Sequence, residues 1–458
     1  PATSLMDSGP SGSKATALGA NDCPADVAWL NSSTLPSEVP GNKTICNFEQ
    51  FMWQSMLALV QPADGKPDMV QFETWMPSYG IFIKDGVPTP WGQEPPTSCT
   101  NAVKPVGGKT PRLYTDIIKQ AGADQPLIDL KGEFVYYGMS VDQSTYTMLT
   151  ACQLYQANCA GQLKPGNKGI DIIQKYPNLA YPDTAVELKT SWMVLDEATA
   201  SSGLFYVVPG LIQYKDSPCR QVNLGLTGMH IVSKTPSFPA MIWATFEHRN
   251  NAPDCSDLSA APPLGGTWNF YNPGCTDCVT NTYQPGKPAQ VCRMHPQGDS
   301  AIGTFPGGVD CSVNPNQFAC QDKTRTMLAE STQALNAINS SVQAMIQANP
   351  GSINKVWANY ELVGNVWTTG GVVPPYLQAQ QGSLSAANTS METFVQNGVA
   401  AVSNPYNCLS CHNMAGPTEG QNLPPAGLSH LFDEVQMPGG CTNGSLPAAC
   451  APYIGSGN

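Results

Sequence analysis

Cys408-Leu409-Ser410-Cys411-His412 carries the plainest chemistry in the chain. Two thiols three positions apart, followed at once by an imidazole, match the attachment motif for haem c. In that motif the thiols add across the porphyrin vinyl groups and the histidine takes one axial position of the iron. One covalent haem c is therefore expected, with Cys408 and Cys411 as its thioethers and His412 as proximal ligand. The competing reading is a Cys-x-x-Cys disulfide that happens to precede a histidine, a rare coincidence with only five histidines in 458 residues. Cys275-Thr276-Asp277-Cys278 is an internal control: it has the same spacing but is followed by Val279. It reads as a disulfide, with a metal site as the lesser alternative.

What faces His412 across the iron would decide the chemistry, since a closed site favours electron transfer and an open one admits a substrate. Met414 is too near His412 in sequence to reach the opposite face. Met437 is the leading candidate for a distal ligand, with His430 and a histidine of the preceding body, such as His230, as alternatives. An iron with no sixth protein ligand also stays open.

Two histidines of the body are candidate catalytic groups. In Gly228 to Lys234 the alternation puts His230 on one face with Gly228 and Val232, and His248 ends the run Trp243 to His248. The short connection over Thr235 to Ala240 makes these runs an antiparallel pair, so His230 and His248 are expected to approach one another. Beside a haem, one of them would act as distal acid/base or ligand; elsewhere both are structural. Glu187 and Lys189 share a face opposite Val186, Leu188 and Trp192, which reads as a solvent-facing ion pair. No Gly-rich nucleotide loop, Gly-x-Ser-x-Gly elbow or zincin helix occurs.

The elements that must position these groups follow from periodicity. Apolar residues at three- and four-residue spacing predict a helix over Phe48 to Val60 and another over Lys323 to Ala348. Strands are expected at Phe72 to Met76, Ile81 to Ile83, Phe134 to Tyr137, Val186 to Leu195, Leu204 to Val208, Gln221 to Lys234, Met241 to His248 and Lys355 to Trp367. Pro111 to Gln120 reads as a short helix, and Thr389-Ser390-Met391-Glu392 as a capping box opening another that would cover the haem. A cysteine-rich excursion lies between Ala252 and Cys320.

The expected fold class is α+β: a β-rich body with flanking helices and a small C-terminal haem region packed on it. The divisions are an extended arm over 1–45, a disulfide-rich body over 46–368, a linker over 369–387 and a haem region over 388–458. Sixteen cysteines in a chain of this size favour an oxidising compartment. Connectivity is not readable from sequence, but Cys152 with Cys159, Cys311 with Cys320 and Cys441 with Cys450 are plausible local loops, and the arm is expected to be tied down through Cys23 and Cys46. A net charge of −12 argues against nucleic acid as a partner. No apolar run approaches the roughly 18 residues of a transmembrane helix, and no leader opens the chain, as in a mature, processed protein.

At this point the chain resembles a bacterial group described as cytochrome c family proteins, large secreted monohaem proteins. The resemblance covers about residues 46 to 435. It rests on Phe48-Glu49-Gln50-Phe51-Met52-Trp53-Gln54-Ser55, Val186-Glu187-Leu188-Lys189-Thr190-Ser191-Trp192, Gly228 to Lys234 with Thr235-Pro236, Ile242 to His248, and the haem motif. It implies a periplasmic or extracellular haem protein and transfers no substrate. The leading expectation is electron transfer with a redox partner protein or a small electron donor or acceptor. The alternatives are a haem-dependent oxidoreductase acting on peroxide, oxygen or a small organic molecule, and a self-assembling surface protein that carries haem.

Overall fold

The computed structural model describes residues 23–83, 86–99, 110–122, 124–155, 178–215, 217–294, 304–305, 309–310, 322–368, 380–383, 386–396, 412, 428–429, 431 and 446–454. Cys408, Cys411, Met414, His430 and Met437 lie outside the described residues, as does Cys311 with Cys320.

The body is a mostly antiparallel sheet of nine strands: β1 (Met76–Pro77), β2 (Leu113–Thr115), β3 (Tyr136–Val141), β4 (Val186–Leu195), β5 (Val207–Ile212), β6 (Arg220–Thr235), β7 (Phe238–His248), β8 (Tyr360–Thr368) and β9 (Gln380–Gly382). The path across it runs β9-β8-β7-β6-β4-β3-β1, with β5 beside the first half of β6 and β2 parallel to β5. Its principal helices are α1 (Ile45–Leu59), α2 (Gln143–Ala151) and α3 (Asp322–Ala348). The architecture is α+β, as expected.

One face of this sheet is apolar because α1 and α3 seal it. Thr44 and Asn47 form a capping box that starts α1. From α1, Phe48 stacks on Trp367 of β8 at 3.7 Å and Trp53 packs edge-on to Phe246 of β7 at 5.0 Å. Asn339 of α3 locks the layers together. Its Oδ1 accepts from Trp53 Nε1 at 2.8 Å and from the Leu362 amide at 3.0 Å, and its Nδ2 donates to the Leu362 carbonyl at 2.8 Å. Glu49, on α1, is fully buried, and neither carboxyl oxygen has a hydrogen-bond partner. Burial therefore holds it well above the usual carboxylate range.

Several local expectations give way to tertiary context. Phe72 to Ile83 contains a 3-10 turn at Gln71–Thr74, the two-residue β1 and a short helix at Ser78–Ile81, where two strands were expected. Pro111 opens no helix, because β2 is captured by parallel pairing to β5. Lys355–Asn359 is a 3-10 turn ahead of β8. The segment read as a linker supplies β9, hydrogen-bonded to β8, and Gly382 allows this with a φ of +85°. Thr389 to Gln396 forms successive turns and no helix.

Five disulfides form among the described residues: Cys23–Cys46, Cys99–Cys219, Cys152–Cys450, Cys255–Cys292 and Cys275–Cys278. Cys275–Cys278 matches expectation, and Cys23 and Cys46, expected to tie down the arm, do so by pairing with each other. Cys152–Cys450 overturns both the Cys152–Cys159 and the Cys441–Cys450 pairings, because the C-terminal segment returns to α2. There Leu179 bridges Ile454 and the Ala180 amide donates to the Tyr453 carbonyl. The cross-links are compatible with an extracellular location. Among the described residues no helix is long and apolar enough to cross a membrane.

Candidate functional site

The second face of the sheet carries polar side chains in rows, and residues from the C-terminal region lie on it. Strand register builds the rows, since residues directly opposite one another point to the same face. Val141, Glu187, Val232, Trp243 and Val366 form the first row across β3, β4, β6, β7 and β8. Met139, Lys189, His230, Thr245 and Gly364 form the second. Tyr137, Ser191, Gly228, Glu247 and Glu361 form the third. Glu187 and Lys189 do share a face, as expected, but that face is covered.

His412 sits on the first row. Its ring lies 4.3 Å from the Trp243 ring, centroid to centroid, and its Nδ1 is 2.7 Å from the Leu428 carbonyl. A carbonyl can only accept, so Nδ1 carries the proton and Nε2 is the nitrogen a metal would take. A backbone carbonyl behind one ring nitrogen is the usual support for a metal-binding imidazole. The geometry at His412 thus fits a proximal haem ligand, with Trp243 as the wall against which the ring is oriented.

The next residue along, Ser429, donates to Glu187 Oε2 at 2.7 Å, while its Oγ accepts from the Leu431 amide at 3.0 Å. The other carboxyl oxygen of Glu187 is sealed from solvent. Burial pushes this carboxyl up to about 7, against the opposing hydrogen bonds of Ser429 and Tyr181 and with a further push from Asp142.

The second row holds an acid-base cluster. His230 Nε2 lies 3.0 Å from Glu392 Oε1 and 3.2 Å from Oε2, and Lys189 Nζ lies 3.9 Å from the same carboxylate. Burial alone would raise the Glu392 carboxyl, but His230, Lys189 and the Asn388 amide outweigh it and hold it below its ordinary value. The side chains keep 15%, 25% and 22% exposure for His230, Glu392 and Lys189, so the cluster is reachable from solvent.

The third row anchors the returning chain. Buried Glu247 accepts from the Thr389 amide at 2.7 Å, from the Thr389 hydroxyl and from Arg293 Nη2 at 3.0 Å. Arg293, from the cysteine-rich excursion, also faces Glu361 and Asp254, each at 3.5 Å. Burial opposes the charge on Arg293, yet the three carboxylates win and raise its pKa. Ser390 Oγ meets Ser191 Oγ at 2.7 Å, and Tyr137 donates to the Ser390 carbonyl at 2.7 Å.

His230 and His248 do not converge. His248 shares the helix-covered face with Phe246, where it stacks on Phe205 at 4.2 Å. Its Nε2 donates to the Leu204 carbonyl at 3.0 Å, and Nδ1 accepts from the Asn250 amide at 3.2 Å. Both nitrogens are committed, and burial lowers its pKa to about 4, so it is a neutral structural histidine. The expected pairing failed because a strand residue and its neighbour point oppositely, and His230 aligns with Thr245, not with His248.

Sequence reasoning missed Glu392, Trp243 and the Glu247-Arg293-Thr389 anchor as site components. The Thr389 to Glu392 run was visible, but its acid closes on Asn388 at 2.8 Å and on His230, so a local helix signal serves a tertiary contact. Comparison with protein-family models, with curated proteins and with solved structures finds no match.

Proposed function

We propose that this chain is an extracytoplasmic monohaem c-type cytochrome that transfers electrons between a redox partner or small electron carrier and its haem. The observation that carries the reading is the seat of His412. The imidazole that follows the Cys-x-x-Cys pair is held by the Leu428 carbonyl and Trp243 in the tautomer a metal ligand requires. Cys408 and Cys411 would form the thioethers and His412 the proximal bond, and the bound haem would supply a reversible one-electron couple. The chain's own part is to orient the imidazole, exclude water with Leu428, Leu431, Val232 and Val366, and support the carbonyl through the Ser429 to Glu187 contact.

A second reading, a haem-dependent oxidoreductase, draws on the solvent-reachable His230-Glu392-Lys189 cluster. His230 is a diagonal neighbour of Trp243 on the same face, on the order of 7–8 Å away. Such a pair can hold and move a proton at His230 Nε2. To act as an iron ligand through that nitrogen, His230 would first have to release Glu392.

Expression with a c-type maturation system and absorption spectroscopy test both readings. Electron transfer predicts covalent haem that survives denaturation, low-spin bands and no response to carbon monoxide. Catalysis predicts a carbon monoxide shift and turnover lost in His230→Gln. Absence of covalent haem, with Cys408 and Cys411 recovered as a disulfide, would sink both.

A further inference from the structure

Cys275 and Cys278 form a bridge that the proposed haem chemistry does not use. Loop size sets it apart from all the other described bridges, and setting from three of the four. The sequence separation is 3, against 23, 37, 120 and 298 for the rest. Restraint of the unfolded chain grows with the logarithm of the closed loop, so this bridge contributes least to stability. As to setting, Cys23, Cys152, Cys292 and Cys450 are 3%, 1%, 1% and 0% exposed, so three of the other bridges have at least one sealed end. Cys275 and Cys278 are both half-buried, as are Cys99 and Cys219, but only Cys275 and Cys278 close a bridge across their own exposed turn, Thr276 and Asp277, outside any strand or helix.

The turn is nonetheless held in shape. Asn272 Oδ1 accepts from the Gly274 amide at 2.9 Å, and its carbonyl accepts from the Cys275 amide at 3.1 Å. The next residue, Val279, is 57% exposed, which places an apolar contact beside the bridge. Two cysteines separated by two residues are the spacing at which a dithiol and a disulfide interconvert without rearranging a fold.

We infer that Cys275–Cys278 is a dithiol–disulfide exchange site, opened in the folded protein by a thiol reductant while the structural bridges stay closed. A reductant thiolate attacks one bridging sulfur and expels the other cysteine as a thiolate. The second thiol of the reductant then displaces the mixed disulfide. Two electrons and two protons pass to the protein, leaving two cysteine thiols and one oxidised reductant disulfide. Asp277, between the sulfurs, disfavours an approaching anion, so the singly charged thiolate of an otherwise neutral dithiol should react faster than the doubly charged thiolate of glutathione.

The test poises the folded, full-length protein in graded dithiothreitol buffers, blocks thiols with N-ethylmaleimide and reads each cysteine by peptide mass spectrometry. The expected result is Cys275 and Cys278 labelled at dithiol ratios at least tenfold less reducing than any other described pair requires, equivalent to about 30 mV. Labelling only together with the other bridges would overturn the inference. In a Cys275→Ala/Cys278→Ala variant the rapid dithiol-consuming step should vanish while the thermal midpoint stays unchanged. A midpoint drop as large as that from removing Cys152–Cys450 would show the bridge to be structural. The readout is on sulfur alone and holds whether or not haem occupies Cys408 and Cys411.

Discussion

Gly228 offers a direct test of how the C-terminal region is held to the body. A Cβ built there would lie 2.7 Å from Asn388 Nδ2, 2.8 Å from Asn388 Oδ1 and 2.8 Å from Ser390 Oγ. Neither side chain can swing aside without loss. Asn388 Nδ2 is committed to Thr245 Oγ1 at 2.9 Å and to the Phe246 carbonyl at 3.0 Å, and Ser390 Oγ to Ser191 at 2.7 Å. Gly228→Ala must therefore lift residues 388–390 or break two or three buried hydrogen bonds. At about 1 kcal/mol for each bond, plus a share of overpacking strain, the expected loss is about 2–4 kcal/mol. That outweighs the roughly 0.5–1 kcal/mol a strand gains from replacing glycine. Urea denaturation should show a lower midpoint with an unchanged slope. The decisive measurement is a double-mutant cycle with Asn388→Ala, which removes two of the three obstructing atoms and should recover at least half of the loss. A Gly228→Ala variant as stable as wild type, or one equally destabilised in both backgrounds, would refute the proposed contact.

Three further outcomes follow from the packing. Glu187 has its carboxyl raised to about 7 from 4.5, so the folded state retains a proton that the unfolded state releases. Stability should fall as pH rises across that window, by about 3 kcal/mol, and Glu187→Gln should flatten the slope in denaturation curves taken at pH 4 to 8. Asn339→Ala removes three buried hydrogen bonds joining α1, α3 and β8; a loss of about 2–4 kcal/mol is expected, and a loss under about 1 kcal/mol would refute the role given to it. Replacing Cys152 and Cys450 by alanine should lower stability by about 2–5 kcal/mol and expose the 446–454 segment to proteolysis, whereas an unchanged digestion pattern would show that packing alone holds that segment.

The principal strands were legible in the amino-acid sequence because each depends on residues close together in the chain. Val186–Leu195 was read at its full length, and β6 and β7 nearly so, from alternation alone. The long helix was read from the spacing of its apolar residues. Short elements were misread where pairing partners decide conformation, as with Leu113–Thr115 beside β5. Tertiary structure alone decided which face of the sheet is covered by helices and which by the returning chain. That choice turns Glu187 and Lys189 from an expected solvent pair into parts of a covered polar surface, and separates His230 from His248. It also joined Cys152 to Cys450 across 298 residues and brought Glu392 to His230. The physical reason is common to all of these: periodicity states that a side chain needs a partner on one face. The partner's identity depends on where a distant segment comes back, which no local pattern encodes.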